Sequence, residues 1–380
     1  MPSLTEEFRW PCDTCGSSLR FAPGQTDLIC PNCGNAQHIE RASAKSVARA
    51  LDELDLQRGL QNDLPPSAME EIRTSSCPNC GALVEFDGAV HAMDCPFCAS
   101  PVVADTGTHR QIKPQAVLPF VLPERAAHDA LTGWLGSLWF APNSLLQYTR
   151  KGRAMTGIYV PFWTFDAESR TRYRGQRGEH YYESRTVTVR VNGKSEQRQE
   201  QVRRTSWSPA SGTVARDFDD VIIMASASLP QKLGNDLTPW DLGALQPYSP
   251  DYLAGFRAEG YSISLTDGHA LATAKMETVI RQDVNRDIGG DEQRIDSIAT
   301  DYGSETFKHI LLPIWTAAYK YNSKSFRFLV NGQTGEVQGE RPYSIWKIAF
   351  AALAVAILVA AAVYLNDPEA LGLPRPEWLR

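Results

Sequence analysis

The stretch Cys12–Cys33, CDTCGSSLRFAPGQTDLICPNC, carries two C-x-x-C pairs fourteen residues apart, and Cys77–Cys98, CPNCGALVEFDGAVHAMDCPFC, repeats that layout. All eight cysteines of the 380-residue chain lie in these two segments. A C-x-x-C pair on a tight turn aims two sulfurs at one centre, and a second such turn completes a tetrahedron. The pattern therefore reads as two four-thiolate sites, Cys12, Cys15, Cys30 and Cys33, then Cys77, Cys80, Cys95 and Cys98. Four thiolates leave no open position for water, so each site is structural, and the expected occupant is one zinc ion apiece. A rubredoxin-like iron site uses the same ligands, and disulfides or free buried thiols are the remaining alternatives. Gly16, Gly34 and Gly81 each follow the second cysteine of a pair, where a glycine relieves the crowded turn. The apolar segments between the pairs break at Gly24 and Gly88, which predicts a β-hairpin with a knuckle at each end: two zinc ribbons, over 8–38 and 73–103.

Between them, over 39–72, RASAKSVARALDELDLQRGL places Val47, Leu51, Leu54 and Leu60 near helical spacing, predicting a helix of about four turns that Pro65 and Pro66 terminate. Two metal-held heads on a helical connector suit docking to a partner better than chemistry. His38 and His91 lie near the ribbons, but closed four-thiolate sites leave them as bystanders.

The opposite end of the chain is different. Ile348–Leu365 is eighteen uncharged apolar or aromatic residues. As a helix it measures about 27 Å, close to the hydrocarbon thickness of a bilayer, and Trp346 and Tyr364 mark its ends as interfacial rings do. A transmembrane helix is expected over 346–365; a buried core helix is the alternative. Arg341 and Lys347 precede the span while Asp367 and Glu369 follow it, with Arg375 and Arg380 farther out. That bias predicts a cytoplasmic N-terminal bulk, a single pass through the membrane, and an outward tail over 366–380. The reducing cytoplasm also suits thiolate metal sites.

The formal charge is −6, and eight thiolates with two zinc ions would take it to about −10, a poor balance for general nucleic-acid binding. One local exception is Arg170–Arg204, with ten Lys/Arg against four Glu and Tyr173, Tyr181 and Tyr182 interleaved. It reads as a nucleic-acid footprint, as a surface facing anionic lipid, or as the solvated face of a long hairpin. From 108 to 343 the runs GIYVPFWTFDAE, RTVTVRVNGK, DVIIMASASL and HILLPIWTAAYKY alternate as strands, and PERAAHDALTGWLGSLWF and GHALATAKMETVIRQDVNRDI read as helices. An α+β domain on mostly antiparallel sheet follows, with Asn-Gly hairpin turns at Val191–Gly193 and Val330–Gly332. IYVPFWTF around Pro161 and ILLPIWTA around Pro313 echo each other, with VLPF at Val117–Phe120 as a truncated third copy; a diverged duplication would put each proline on an edge strand.

No catalytic constellation is visible. GKS at Gly193–Ser195 lacks the P-loop glycine, because Thr188 occupies that place, and none of the seven histidines sits in H-E-x-x-H. TDGH at Thr266–His269 reads as a turn before a helix, and Asp219 and Asp220 as solvated. The chain is expected not to be an enzyme.

The paired ribbons, LLPIWTAAYKYNSKSFRFLVNGQTGEVQGERPYS and the apolar helix after it resemble a family of bacterial membrane-anchored zinc-ribbon proteins. Its members often carry the name primosomal protein N′ (replication factor Y), superfamily II helicase, although this chain has no helicase motor motif. The resemblance implies a role in membrane-stress modules, as an adaptor for cytoplasmic phage-shock-protein-A-like or SPFH-type partners. Only the eight cysteines carry over, as zinc ligands. The expected function is a membrane-tethered adaptor; a ribbon protein that binds nucleic acid in replication or transcription is the alternative.

Overall fold

Ala167, Ser169, Thr171 and Tyr173 turn inward while Glu168, Arg170, Arg172 and Arg174 turn outward. This period-two pattern builds strands far longer than the usual five or six residues. The computed structural model describes residues 10–40, 43, 47–48, 51–72, 74–79, 81, 83–85, 92–94, 100–103, 109–142, 155–191, 194–321, 324–340 and 343–366. It is a mixed α+β structure with a sheet-rich middle.

In chain order, β1 (Arg20–Phe21), β2 (Asp27–Ile29) and β3 (Ala36–His38) form a small antiparallel sheet, followed by β4 (Leu54–Asp55) and α1 (Leu56–Leu60). Next come β5 (Met69–Ile72), β6 (Thr74–Ser76), β7 (Leu83–Glu85), β8 (Ala92–Asp94), β9 (Pro101–Val103) and β10 (His109–Ile112), paired as β5–β10, β6–β7 and β8–β9. The middle holds β11 (Ala116–Val117), α2 (Glu124–Ser137), β12 (Thr156–Val191), β13 (Lys194–Met224), α3 (Gln231–Asn235), β14 (Gln246–Pro247), β15 (Arg257–Ala258), α4 (Leu265–Ile288), β16 (Glu292–Tyr321), β17 (Lys324–Asn331) and β18 (Val337–Gly339). Helix α5 (Ile345–Asn366) follows.

The main sheet is a duplication about a pseudo-twofold axis. Strands β12 and β16 run antiparallel through its centre, Pro161 facing Leu311 and Pro313 facing Tyr159. Each unit contributes a short strand, a helix, a long strand and a return strand: β11–α2–β12–β13 and β15–α4–β16–β17. The short strands are exchanged. β11 pairs in parallel with β16 at Ile310–Leu311, and β15 pairs in parallel with β12 at Ile158–Tyr159.

The proline-x-tryptophan echo is the joint of each unit. Pro161 lacks an N–H, so the carbonyl of Ala225, opposite it, accepts instead from Ser262 and Ile263 N–H at 2.9 and 3.1 Å. In the other unit the Gly332 carbonyl accepts from Val121 and Leu122 N–H at 3.0 and 2.8 Å. Trp163 Nε1 then donates to the Ile263 carbonyl (3.0 Å), and Trp315 Nε1 to that of Leu122 (2.9 Å). Both prolines thus lie on central strands, contrary to the expected edge placement; the segment leading into each helix supplies the donor that proline lacks. Val117–Phe120 is the exchanged strand and its exit, not a third copy of the echo.

The connector over 39–72 is helical only in part. Its described residues break between Asp52 and Asp55, where Leu54 and Asp55 pair with Phe307 and Thr306 of β16, and Asp55 caps α1 through Arg58 N–H. Leu56 is buried against the sheet, so packing there outcompetes one continuous helix. TDGH is the first turn of α4, not a turn before it: Ser264 is the N-cap, and Gly268 lets the Trp163 indole approach, since a Cβ there would lie 2.6 Å from Trp163 Cδ1. Val330 pairs with Val337, so Asn331-Gly332 opens a longer turn in which Asn331 Oδ1 accepts from Gln333 and Thr334 N–H. At the other Asn-Gly, Val191 does pair with Lys194, across residues outside the described set.

Helix α4 covers the three-stranded part of the sheet, seating Ile280, Val284 and Ile288 against Tyr173. β16 begins at Glu292 opposite Gly178. Beyond that point β12 and β13 continue alone as a two-stranded arm for roughly 40 Å.

Candidate metal centre

Short-range turn chemistry builds the first cluster. Gly16 N–H closes on the Cys12 carbonyl (2.8 Å) and Gly34 N–H on that of Cys30 (3.0 Å), both glycines at positive φ, +72° and +74°. The resulting knuckles bring Cys12, Cys15, Cys30 and Cys33 together with all four Sγ atoms within 4.8 Å of one another. Cys12–Cys33 and Cys15–Cys30 sulfurs are 3.5 Å apart. A disulfide needs about 2.05 Å, and these cysteines are free thiols. Thiolates about 2.3 Å from a shared tetrahedral centre stand about 3.8 Å apart, so the set fits one metal ion.

Two groups that sequence reasoning passed over complete the surroundings. Asn32 and Asn35 side-chain amides donate to Cys15 Sγ (3.6 Å) and Cys12 Sγ (3.7 Å). The signal was present in PNCGN at Pro31–Asn35, where the asparagines flank Cys33. The Ser17 backbone N–H, the Ser17 hydroxyl and the Asn32 amide bring Cys15 down to about 6. Cys33 moves to about 12: the Asn35 N–H favours its thiolate, but desolvation and the neighbouring sulfurs outweigh it. Four sulfurs this close cannot all ionise without a cation among them, which is the electrostatic requirement a metal meets.

The cluster does not stand off on a stalk. Cys12, Leu19, Phe21, Leu28 and Cys30 share one apolar core with Phe120, Tyr159 and Tyr252 of the main body. Phe21 meets Tyr252 edge-on at 5.4 Å, Trp10 Nε1 donates to Asp251 Oδ1 (2.7 Å), and Gly24 N–H donates to the Phe120 carbonyl (2.9 Å). Cys15 and Cys33 remain exposed on the outer side.

Of the second set, Cys77 is described and Cys80, Cys95 and Cys98 lie outside the described residues. Gly81 N–H closes on the Cys77 carbonyl at 2.9 Å with φ +75°, the same turn as at Cys12 and Cys30. Cys77 is buried, and β6–β7 and β8–β9 flank the two knuckle positions as hairpins.

Among the described residues, no histidine joins the thiolates. His38 Nδ1 pairs with Asp27 Oδ1 (2.8 Å), and His91 is outside the described residues. His309 is buried against Trp163, its Nδ1 on the Ile112 carbonyl (2.7 Å); desolvation lowers it to about 4 and keeps it neutral.

A second group of acids was not legible. A bulge sets Asp219 and Asp220 opposite Asp166, with Asp220 at φ +51° and its N–H on Asp166 Oδ1 (2.6 Å). Their carboxylates lie within 4.8 Å of one another. Lys308 Nζ stands 2.8 Å from Glu53 and 3.2 Å from Asp220, supplying the positive charge there. This group fastens the connector to the sheet.

At the other end of the chain, Ile345–Val363 of α5 is long and apolar enough to cross a membrane, and none of that window is buried.

No family model matches the chain, and no solved structure matches it. It is 25% identical over 345 residues to a Bacillus subtilis (strain 168) protein described as "Uncharacterized protein YdjG", spanning 90% of this chain and 92% of that one. The likeness covers most of the length of both chains and carries no activity with it.

Proposed function

We propose that the chain is a membrane-tethered adaptor: α5 spans the bacterial inner membrane, and the metal-held N-terminal ribbons present a rigid face to a cytoplasmic partner. The observation that carries this reading is α5, a helix of membrane length whose apolar window has no buried residue in the described structure. A buried core helix would be covered. The four-thiolate cluster supports the rest, because a closed site fixes shape without offering chemistry. In this reading the ion is zinc, the second cysteine set holds another, and no reaction is catalysed. The resemblance supplies the partner class, phage-shock-protein-A-like or SPFH-type proteins. Tethering raises the partner's effective concentration at the surface without a new contact.

Removing residues 345–366 and fractionating cells tests the tether. The protein should move from membrane to soluble fraction, and an unchanged membrane pool overturns the reading. Flotation with purified partner and vesicles carrying the full chain tests recruitment, which should disappear when Cys12 and Cys15 become serine.

The nucleic-acid alternative rests on the arm, where Tyr181 and Tyr182 are exposed among arginines. The pairing sets Arg185 against Glu200, and Arg204 forms an ion pair with Glu183 (3.4 Å), so part of that charge is neutralised within the arm. A DNA titration of the detergent-solubilised full chain decides: absence of binding at low salt removes this alternative.

A further inference from the structure

Helix α2 ends at Ser137, and the chain then turns through Leu138–Ala141, with Leu138 and Ala141 against the core and the two residues between them outside it. Trp139 is 80% exposed and Phe140 40%, their rings stacked with centroids 6.4 Å apart. Two adjacent exposed aromatics outside a core call for a cover. Their place in the fold names it. Ser344 N–H donates to the Phe140 carbonyl (2.8 Å), and Lys347 Nζ donates to the Ala141 carbonyl (2.8 Å). The turn is thereby fastened to the first residues of α5, beside Tyr343, Ile345 and Trp346, which are also exposed. Phe140 and Tyr343 close one end of an apolar trough that runs down α5 past Ile348, Ala352 and Val355.

We propose that Trp139 and Phe140 form a second membrane contact, inserting into the headgroup and upper acyl region of the leaflet that α5 enters. Amphipathic and aromatic rings favour that layer, and α5 already brings it to this level through Trp346. A single helix with a flexible exit lets a domain swing, whereas two contacts on one rigid piece fix its tilt. The occupant is lipid, because Phe140 and Tyr343 continue the apolar face of α5 past Ile348, while Lys347 at the junction holds the Ala141 carbonyl at the level where an ammonium meets lipid headgroups. This inference rests on α5 being a membrane span.

Photocrosslinking of the full chain in phospholipid vesicles tests it. p-Benzoylphenylalanine is placed in turn at Trp139, at Leu358 within α5 and at Tyr182 on the arm, all exposed positions. Lipid adducts are expected from Trp139→p-benzoylphenylalanine and from the Leu358 variant, each at least about fivefold above the Tyr182 variant. Adducts at 358 with none above background at 139 overturn the second contact and leave the span intact. A crosslinked pair of chains at 139 overturns it in favour of self-association. Absence of lipid adducts at 358 as well overturns both this inference and the span it rests on.

Discussion

Lys308 places one ammonium between Glu53 and Asp220, and Asp166 is left facing Glu53. Desolvation, then the Glu53 carboxylate, raises Asp166 from 3.8 to about 7. Glu53 drops from 4.5 to about 2: hydrogen bonds from Asp166, Lys308 and Thr306 outweigh its own burial. The signs oppose each other. Folded Asp166 binds its proton more tightly than unfolded Asp166, so its contribution erodes as pH rises from about 4 to 7. Glu53 contributes stability above about 4.5 that is lost as pH falls towards 2. Asp166→Asn keeps an acceptor for Asp220 N–H and offers Glu53 a fixed donor. Its thermal midpoint should exceed that of the wild type at pH 8, with the gap narrowing towards pH 5; parallel curves would sink this account. At the thiolates, Cys33→Ser should lower bound metal, counted by native mass spectrometry, by one ion per chain. It should also cut thermal stability by several degrees, because the cluster shares its core with Phe120 and Tyr252.

Within the elements, the two proline joints make matched predictions. Pro161→Ala adds a buried N–H whose natural acceptor, the Ala225 carbonyl, already serves two donors. A cost of about 1–3 kcal/mol is expected. Pro313→Ala should cost about the same in chemical denaturation, and a several-fold disparity would argue against equivalent roles. Trp163→Phe removes an indole donor from the Ile263 carbonyl at similar cost. Much here was readable from residues alone: the knuckles at Cys12 and Cys30, because spacing and glycine define them locally; the apolar helix, because length and composition suffice; and the two long main-body helices, α2 and α4. What escaped depends on contacts distant in sequence. Nothing near Phe21 announces that it packs on Tyr252, and nothing near Asp166 announces the bulge at Asp219–Asp220. The repeat was audible as eight residues, yet its geometry, exchanged strands about a pseudo-twofold axis, exists only in pairing register.

Across the whole molecule, register sets direction. β17 pairs with β16 over Ile314–Tyr321, and β18, which pairs with β17, leads towards α5, while the arm extends from the opposite end of the sheet. The arm therefore points away from the proposed membrane surface. Among the described residues it buries no core beyond Gly178, so excising 181–204 and joining the strands through Asn-Gly should leave the thermal midpoint within a few degrees. A large loss would mean the arm supports the sheet. The exchanged short strands bear on how such a chain is made. Ala116 leaves the ribosome long before its partner Ile310, a wait on the order of ten seconds or more at ordinary synthesis rates. Neither half can close its sheet until both long strands exist, and the greasy helix is the next segment to emerge. Maturation of the head and delivery to lipid are thus nearly simultaneous events, and a nascent chain stalled in between would present raw strand edges to the cell's chaperones.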